Sequence, residues 1–239
     1  MTKDQVIALD GPSGSGKSTV AKTIADKLGI IYIDTGAMFR AVAYGLQHTG
    51  IEFGKDQLLD SEERIINEFF QTHHFKFAPA PHILITLDDL DLTHVIREHQ
   101  VSKLASQVSK HMVIREFLKK WQRDIVKNRP AILDGRDIGT VIFPNAILKV
   151  FLTASPRERA LRRFEELKKR GQSELDYQTI LNDIMERDHE DMSRPIAPLK
   201  KAQDSVVIDS TGKSITGIVE EVIQLWIQRT KVQDETHTR

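Results

Sequence analysis

The chain has 239 residues, with 34 Lys and Arg against 34 Asp and Glu, and no cysteine. Zero net charge removes any bulk electrostatic reason to expect nucleic acid or a membrane surface as partner, and the missing cysteines exclude disulfides and thiolate metal sites. No apolar run reaches bilayer length, and the first expected strand starts too near residue 1 to leave room for a signal peptide, so a cytoplasmic globular protein is expected. In chain order, strands are expected at Val6–Asp10, Ile30–Ile33, Ala131–Asp134, Leu148–Leu152 and Val206–Asp209. Amphipathic helical stretches alternate with them, the pattern of a parallel sheet covered on both faces. Two stretches break the alternation. Between Phe75 and Arg97, the runs Phe75-Lys76-Phe77, Ile83-Leu84-Ile85 and Leu90-Asp91-Leu92 are interrupted by Pro79, Pro81 and aspartates, which predicts a small antiparallel insert. From Arg157 to Pro198 the chain is rich in arginine and acid and poor in large apolar residues, which predicts a charged helical hairpin outside the core. Ser155-Pro156-Arg157-Glu158 reads as a capping box opening its first helix, with Gly171 ending it. The tail after Arg229 is polar and expected to fray.

The first strand leads into Gly11-Pro12-Ser13-Gly14-Ser15-Gly16-Lys17-Ser18, a complete phosphate-binding loop. Val20, Ala21, Ile24, Ala25 and Leu28 then set a helical period. Glycines let the backbone approach phosphate oxygens while loop amides and the positive end of the helix face the anion. Lys17 is placed to reach β- and γ-phosphates, and the Ser18 hydroxyl to ligate Mg²⁺. A bare glycine turn is the bland alternative, and the strand-loop-helix context disfavours it.

Such a loop alone does not separate kinases from GTPases, motors or regulators. Three further clusters narrow the choice. In Asp34-Thr35-Gly36-Ala37-Met38-Phe39-Arg40, Thr35 is expected to cap a helix whose N-terminus can bind an anion, with Arg40 facing back toward the loop. An ordinary cap with a solvated arginine is the competing reading. In Asp134-Gly135-Arg136-Asp137-Ile138-Gly139-Thr140, Arg136 can clamp a phosphate in bidentate fashion. Asp137 can accept from a base amino group or hold a water on Mg²⁺, and a plain Asp-Gly turn is the alternative. The hairpin carries Arg157, Arg159, Arg162, Arg163, Arg170, Arg187 and Arg194. Arginines on a closing segment neutralise charge during phosphoryl transfer. For most of them a solvated helix with pairs such as Glu158–Arg162 is preferred; Arg187 and Arg194, flanking Asp191, are the stronger candidates, and Asp191 can take ribose hydroxyls. The nine histidines show no ligand spacing, and His73, His74 and His82 read as structural or exposed.

Together these motifs resemble the bacterial cytidylate kinases, within the nucleoside monophosphate kinase group. The segments that carry the likeness are I-A-L-D-G-P-S-G-S-G-K-S, D-T-G-A-M-F-R, L-D-G-R-D-I-G-T, E-R-D with the later D and R-P-I-A-P-L, and V-I-D-S-T. The resemblance implies an α/β P-loop kinase with a five-stranded parallel sheet in the order 2-3-1-4-5 flanked by helices. It further implies a core of 1–34, 101–155 and 199–239, an acceptor-binding region of 35–100 with the β insert at about 73–97, and a helical lid of 156–198. ATP with Mg²⁺ would be held by Gly11, Pro12, Ser13, Gly14, Ser15, Gly16, Lys17, Ser18, Thr19 and Arg157, with Ser18 on the metal. Thr35, Arg40 and Arg136 would hold the CMP phosphate, and Ser106, Arg115 and Asp137 would contact cytosine. Arg187, Asp191 and Arg194 would handle ribose and the transferred phosphate, leaving Lys17, Arg40, Arg136, Arg187 and Arg194 as the catalytic set. The expected reaction is ATP with CMP or dCMP giving ADP with CDP or dCDP, by a monomer that needs neither nucleic acid nor membrane.

Two other readings remain open at this point. One is a kinase for UMP, AMP or shikimate; a site built to pair with cytosine rejects analogues strongly. The other is a P-loop switch, against which stand the missing guanine-reading N-K-x-D motif and the arginine-rich lid.

Overall fold

An unbroken apolar run makes a stable strand where both faces of its sheet are covered. Val6, Ile7, Ala8 and Leu9 meet that condition, all four being fully buried. The computed structural model describes residues 4–78, 84–127, 129–169 and 176–237. Its elements begin with β1 (Asp4–Asp10), α1 (Lys17–Leu28), β2 (Ile31–Asp34), α2 (Thr35–Leu46) and α3 (Asp60–Thr72). β3 (Phe75–Ala78), β4 (Leu84–Leu87), β5 (Leu90–Asp91), α4 (His99–Val108) and α5 (Met112–Val126) follow. The chain continues through β6 (Ala131–Gly135), β7 (Ala146–Thr153), α6 (Pro156–Lys169), α7 (Tyr177–Ser193), β8 (Val206–Asp209) and α8 (Ile215–His237).

The larger sheet has the order β2-β6-β1-β7-β8, which is 2-3-1-4-5 when its own strands alone are counted, as expected. β1 pairs in parallel with β6 and β7, and β7 with β8. The register sets Asp10 opposite both Gly135 and Phe151. The carboxyl ends of the three central strands are therefore level, the place where a doubly wound sheet holds its ligands. β7 runs from Ala146 rather than Leu148, because Ala146 and Ile147 are also buried apolar residues.

The chain forms two compact units, Met1–Ile30 with Asn128–Arg239, and Ile31–Lys127. In the first, α1 buries Val20, Ala21, Ile24 and Ala25, and α8 buries Ile218, Val219, Val222 and Trp226. In the second, α2 is buried along Ala37, Met38, Ala41, Val42, Ala43 and Leu46. There the β insert is an antiparallel sheet in the order β3-β4-β5, with Phe75 opposite Leu87 and Phe77 opposite Ile85. Pro79, Pro81, His82 and Ile83 lie outside the described residues. His73 is structural: its ring stacks on Phe69 with centroids 4.2 Å apart.

The hairpin is the pair α6 and α7, with Arg170 and Gly171 outside the described residues. Only half of the expected capping box forms. The Ser155 hydroxyl accepts from the Glu158 N–H at 3.2 Å. The Ser155 N–H, however, donates to Thr211 Oγ1 at 3.1 Å, and the Glu158 carboxylate takes Arg162 Nε at 3.0 Å. A competing acceptor at one end, Thr211 Oγ1, and a charged donor at the other, Arg162, displace the reciprocal bond. The hairpin also has a small apolar core of its own, Ala160, Leu167, Ile180 and Ile184, with Phe164, Tyr177 and Leu181 packed against it. A composition poor in large apolar residues still supplies one shared face between two helices.

Candidate active site

Gly11 and Gly14 show why the loop is glycine-rich. Gly11 has φ +152°, and a Cβ there would collide with the Leu152 carbonyl oxygen of β7; Gly14 has φ +75° and lies 3.2 Å from Arg159 Cβ by the same measure. α1 starts directly after Gly16 at Lys17, so the loop ends on a helix N-terminus, where anions are favoured. A loop that offers amides to a phosphate turns carbonyls outward, and buried carbonyls need donors. They have them. Pro12 O accepts from Ser15 Oγ at 3.0 Å and Lys17 Nζ at 2.7 Å. Ser13 O accepts from Arg159 Nη1 at 3.0 Å, Ser15 O from Ser210 Oγ at 3.2 Å, and Gly16 O from the Val20 N–H.

Lys17 is buried, and burial holds its ammonium well below the ordinary lysine range, with the positive charge of Arg136 pushing the same way against Asp134, Asp10 and Asp191. A buried ammonium with a second cation nearby favours a strongly anionic ligand, such as a polyphosphate. Ser18 Oγ donates to Asp134 Oδ2 at 2.6 Å, bringing the first turn of α1 to the end of β6. Mg²⁺ prefers one or two protein oxygens and fills its octahedron with water and phosphate. A hydroxyl and a carboxylate side by side fit that preference. Asp10, the residue before the loop, accepts from Ile138 N–H and Gly139 N–H, both at 2.8 Å. Burial outweighs those two donors and pushes its carboxyl up to about 7.

Asp134-Gly135 is not a turn, in correction of that alternative: both residues end β6, and the chain bends only at Arg136. Asp137 is buried and caps a turn of π-helix, Ile138–Ile142. Arg136 Nε donates to Asp191 Oδ2 at 2.7 Å, and Arg194 Nη1 lies 3.6 Å from Asp191 Oδ1. Burial works to raise Asp191, but Arg136, Arg194 and Arg187 together hold its carboxyl below the ordinary range. Of the expected lid residues, Asp191 and Arg194 thus come together with Arg136; Arg187 is exposed, though its charge also acts on Asp191, and Arg157 is exposed.

The second unit carries the remaining candidates. Asp34, not Thr35, is the N-cap of α2; its Oδ1 accepts from the Ala37 N–H at 2.8 Å, and Thr35 is the first helical residue and buried. Carboxylates cap more strongly than a threonine that already has helical backbone angles. Arg40 Nη2 lies 3.4 Å from Asp34 Oδ2, and its guanidinium folds over Gly36, where a Cβ would stand 3.2 Å from Nη1. Arg40 Nε is buried with no hydrogen-bond partner, so the arginine is not the solvated side chain of the bland reading. Arg115, buried on α5, donates to Ser109 O at 3.0 Å and lies over the Phe39 ring at 5.4 Å. Ser106 is half-buried on α4.

Sequence reasoning passed over Asp134 as the partner of Ser18, although it stood inside a quoted motif at a strand end. It also passed over Asp10, Asp188 and Ser210, and read Arg159 as solvated. Arg159 is buried: Nε donates to Ala154 O at 3.0 Å, and Nη1 and Nη2 reach Asp188 at 3.0 and 2.5 Å. Arg163, paired with Glu166 at 2.9 Å and exposed, does fit the solvated reading.

The family model described as cytidylate kinase matches residues 7–228. The chain belongs to the cytidylate kinase family. It is 45% identical to the cytidylate kinase of Caldicellulosiruptor saccharolyticus, over 92% of this chain and 94% of that one. It is 46% identical to the cytidylate kinase of Alkaliphilus oremlandii, over 92% and 96%. Among solved structures it aligns with a shikimate kinase from Bacteroides thetaiotaomicron over 92% and 97% of the two chains, at 13% identity and a TM-score of 0.45, too low to bear on activity. Among the described residues, no helix is long and apolar enough to cross a membrane.

Proposed function

We propose that this protein transfers the terminal phosphoryl group of ATP to the phosphate of CMP or dCMP, giving ADP and CDP or dCDP. Family membership supports the reaction. The observation that carries the residue-level reading is the pairing of Arg136 with Asp191 and Arg194 where the charge of Arg136 acts on Lys17. The acceptor is already an anionic phosphate, so no general base is required, and positioning with charge neutralisation does the catalysis. ATP is taken by residues 11–19, with Lys17 on its β- and γ-phosphates and Arg157 against the nucleoside. Lys17 must leave Pro12 O to do so. Mg²⁺ would be held by Ser18 and Asp134, and when bound it neutralises charge on the phosphates. Thr35, Arg40 and Arg136 take the acceptor phosphate; the unpartnered Arg40 Nε supports this assignment. Ser106, Arg115 and Asp137 read cytosine, and Arg187, Asp191 and Arg194 serve ribose and the moving phosphoryl group.

The same proposal assigns residues 1–34, 101–155 and 199–239 to an ATP-binding core, 35–100 to acceptor binding and 156–198 to a lid that excludes water. It also takes the protein as a cytoplasmic monomer. The test is ADP release in the presence of ATP and Mg²⁺ with CMP, dCMP, UMP, AMP, GMP or shikimate offered singly. Turnover confined to CMP and dCMP is the expected result. Turnover with another acceptor would discard the cytosine contacts, and ATP binding without acceptor-dependent ADP release would indicate a switch.

A further inference from the structure

The D-S-T segment at Asp209–Thr211 and two arginines of α6, Arg159 and Arg162, have no part in the reading above, yet they reach the phosphate loop, Arg159 directly and Arg162 through Ser210. Ser210 is fully buried. Its hydroxyl accepts from Arg162 Nη1 at 3.0 Å and passes a hydrogen bond on to Ser15 O at 3.2 Å, while Arg162 Nη2 donates to Ser210 O at 2.7 Å. Three residues earlier on α6, Arg159 donates to Ser13 O. Its fork is fixed by Ala154 O on one side and the Asp188 carboxylate on the other. Ser13 and Ser15 are alternate residues of the loop, so the two contacts fix the Ser13–Gly14 and Ser15–Gly16 peptide planes, those leading into the two glycines. The Gly14 and Gly16 backbones, at φ +75° and +92°, have no preference of their own to hold those planes.

We infer that Arg159 and Ser210 are positioning residues for phosphoryl transfer, holding the outward carbonyls of the phosphate loop so that its amides stay aimed at the ATP phosphates. Arg159 does so braced by Asp188, and Ser210 braced by Arg162. The reaction itself rests on the proposed function. The clamp, however, acts on ATP alone, which permits a test that needs no acceptor.

Two variants separate positioning from bulk stability. Arg159→Lys keeps the charge beside Asp188, but a single ammonium cannot reproduce a fork reaching Ala154 O, Ser13 O and Asp188 together. Ser210→Ala removes only the hydroxyl relay. The measurements are calorimetric titration of each folded variant with ATP and Mg²⁺, separate titration with CMP, and ADP release at temperatures well below melting. ATP affinity is expected to fall about tenfold or more in Arg159→Lys and about fivefold in Ser210→Ala, the size of one or two lost hydrogen bonds. CMP affinity should stay within about twofold, because its expected ligands are not bonded to these carbonyls. Arg163→Ala, an exposed control, should change neither. Unchanged ATP affinity in both folded variants would overturn the inference, as would equal losses for ATP and CMP. Failure of wild-type protein to phosphorylate CMP would overturn the proposed reaction, while the ATP titration would still decide the clamp.

Discussion

The phosphate loop and the α6–α7 hairpin both handle charge, yet they do it with different parts of the chain. The loop works through main-chain groups, one lysine and one hydroxyl, all within eight consecutive residues. Its conformation follows from glycines that no side chain could replace, as the contact of Gly11 with Leu152 demonstrates. The hairpin works through long side chains whose partners lie far away in sequence: Arg159 with Asp188 and Ser13, Arg162 with Ser210, Asp191 with Arg136. Among the described residues, six arginines of similar appearance divide into a buried fastener, Arg159, a half-buried one, Arg162, a half-buried partner of Asp191, Arg194, and the exposed Arg157, Arg163 and Arg187. Local chemistry is therefore specified by spacing, and long-range chemistry by what happens to face each residue.

The comparison can be broken most severely at Lys17. Lys17→Ala should lower kcat by several orders of magnitude, roughly 10³-fold or more, because removing a preorganised charge at the transferred group costs this much. Circular dichroism should show the fold intact; near-wild-type turnover would remove Lys17 from the catalytic set. At the hairpin the corresponding change acts on stability first. Arg159→Met leaves Asp188 buried and unpaired, for which a loss of about 3–5 kcal/mol is expected in urea unfolding. Arg159→Met with Asp188→Leu should recover part of that stability but not the ATP affinity, separating the fastener from the clamp. A double variant that regained both would return Arg159 to a purely structural role.

A smaller effect is expected in the second unit. Arg115→Met should reduce the preference for CMP over UMP by about tenfold, the scale of one good polar discrimination, while KM for ATP stays near wild type. Equal losses for both nucleotides would count against a base-reading role. The smallest concerns pH. Asp10 titrates near 7 when folded and 3.8 as the ordinary value. Between about pH 4 and 7 the folded chain keeps a proton that the unfolded chain has released, so this group's contribution to stability falls as pH rises through that window. Asp10→Asn should flatten the decline in denaturant midpoints measured across it. An unaltered slope would show that the carboxyl is ionised throughout.

Much of the fold could be read directly. The fully buried run of β1, the alternation of strands and helices, and the order 2-3-1-4-5 follow from two-sided burial and from the family likeness. The β insert was legible through its period-two pattern, confirmed where Phe75 and Phe77 pair with Leu87 and Ile85. The helix starts were read less well. Asp34 took the cap expected of Thr35, and Glu158 turned to Arg162 instead of closing its box. In both cases a polar group within four residues competed for the same bond, and a motif does not rank close neighbours that want the same partner.

The sequence by itself determined the phosphate loop, the parallel sheet that presents it and the family that uses both, because glycine geometry and apolar periodicity act over a few residues. Tertiary structure alone decided that Ser18 meets Asp134 and that Asp10 holds Ile138 and Gly139. It also decided that Arg159 is buried while Arg163 is not. Those outcomes depend on which groups converge in a water-poor site. There a charge or a carbonyl must find a partner, and only the folded chain settles which partner is within reach.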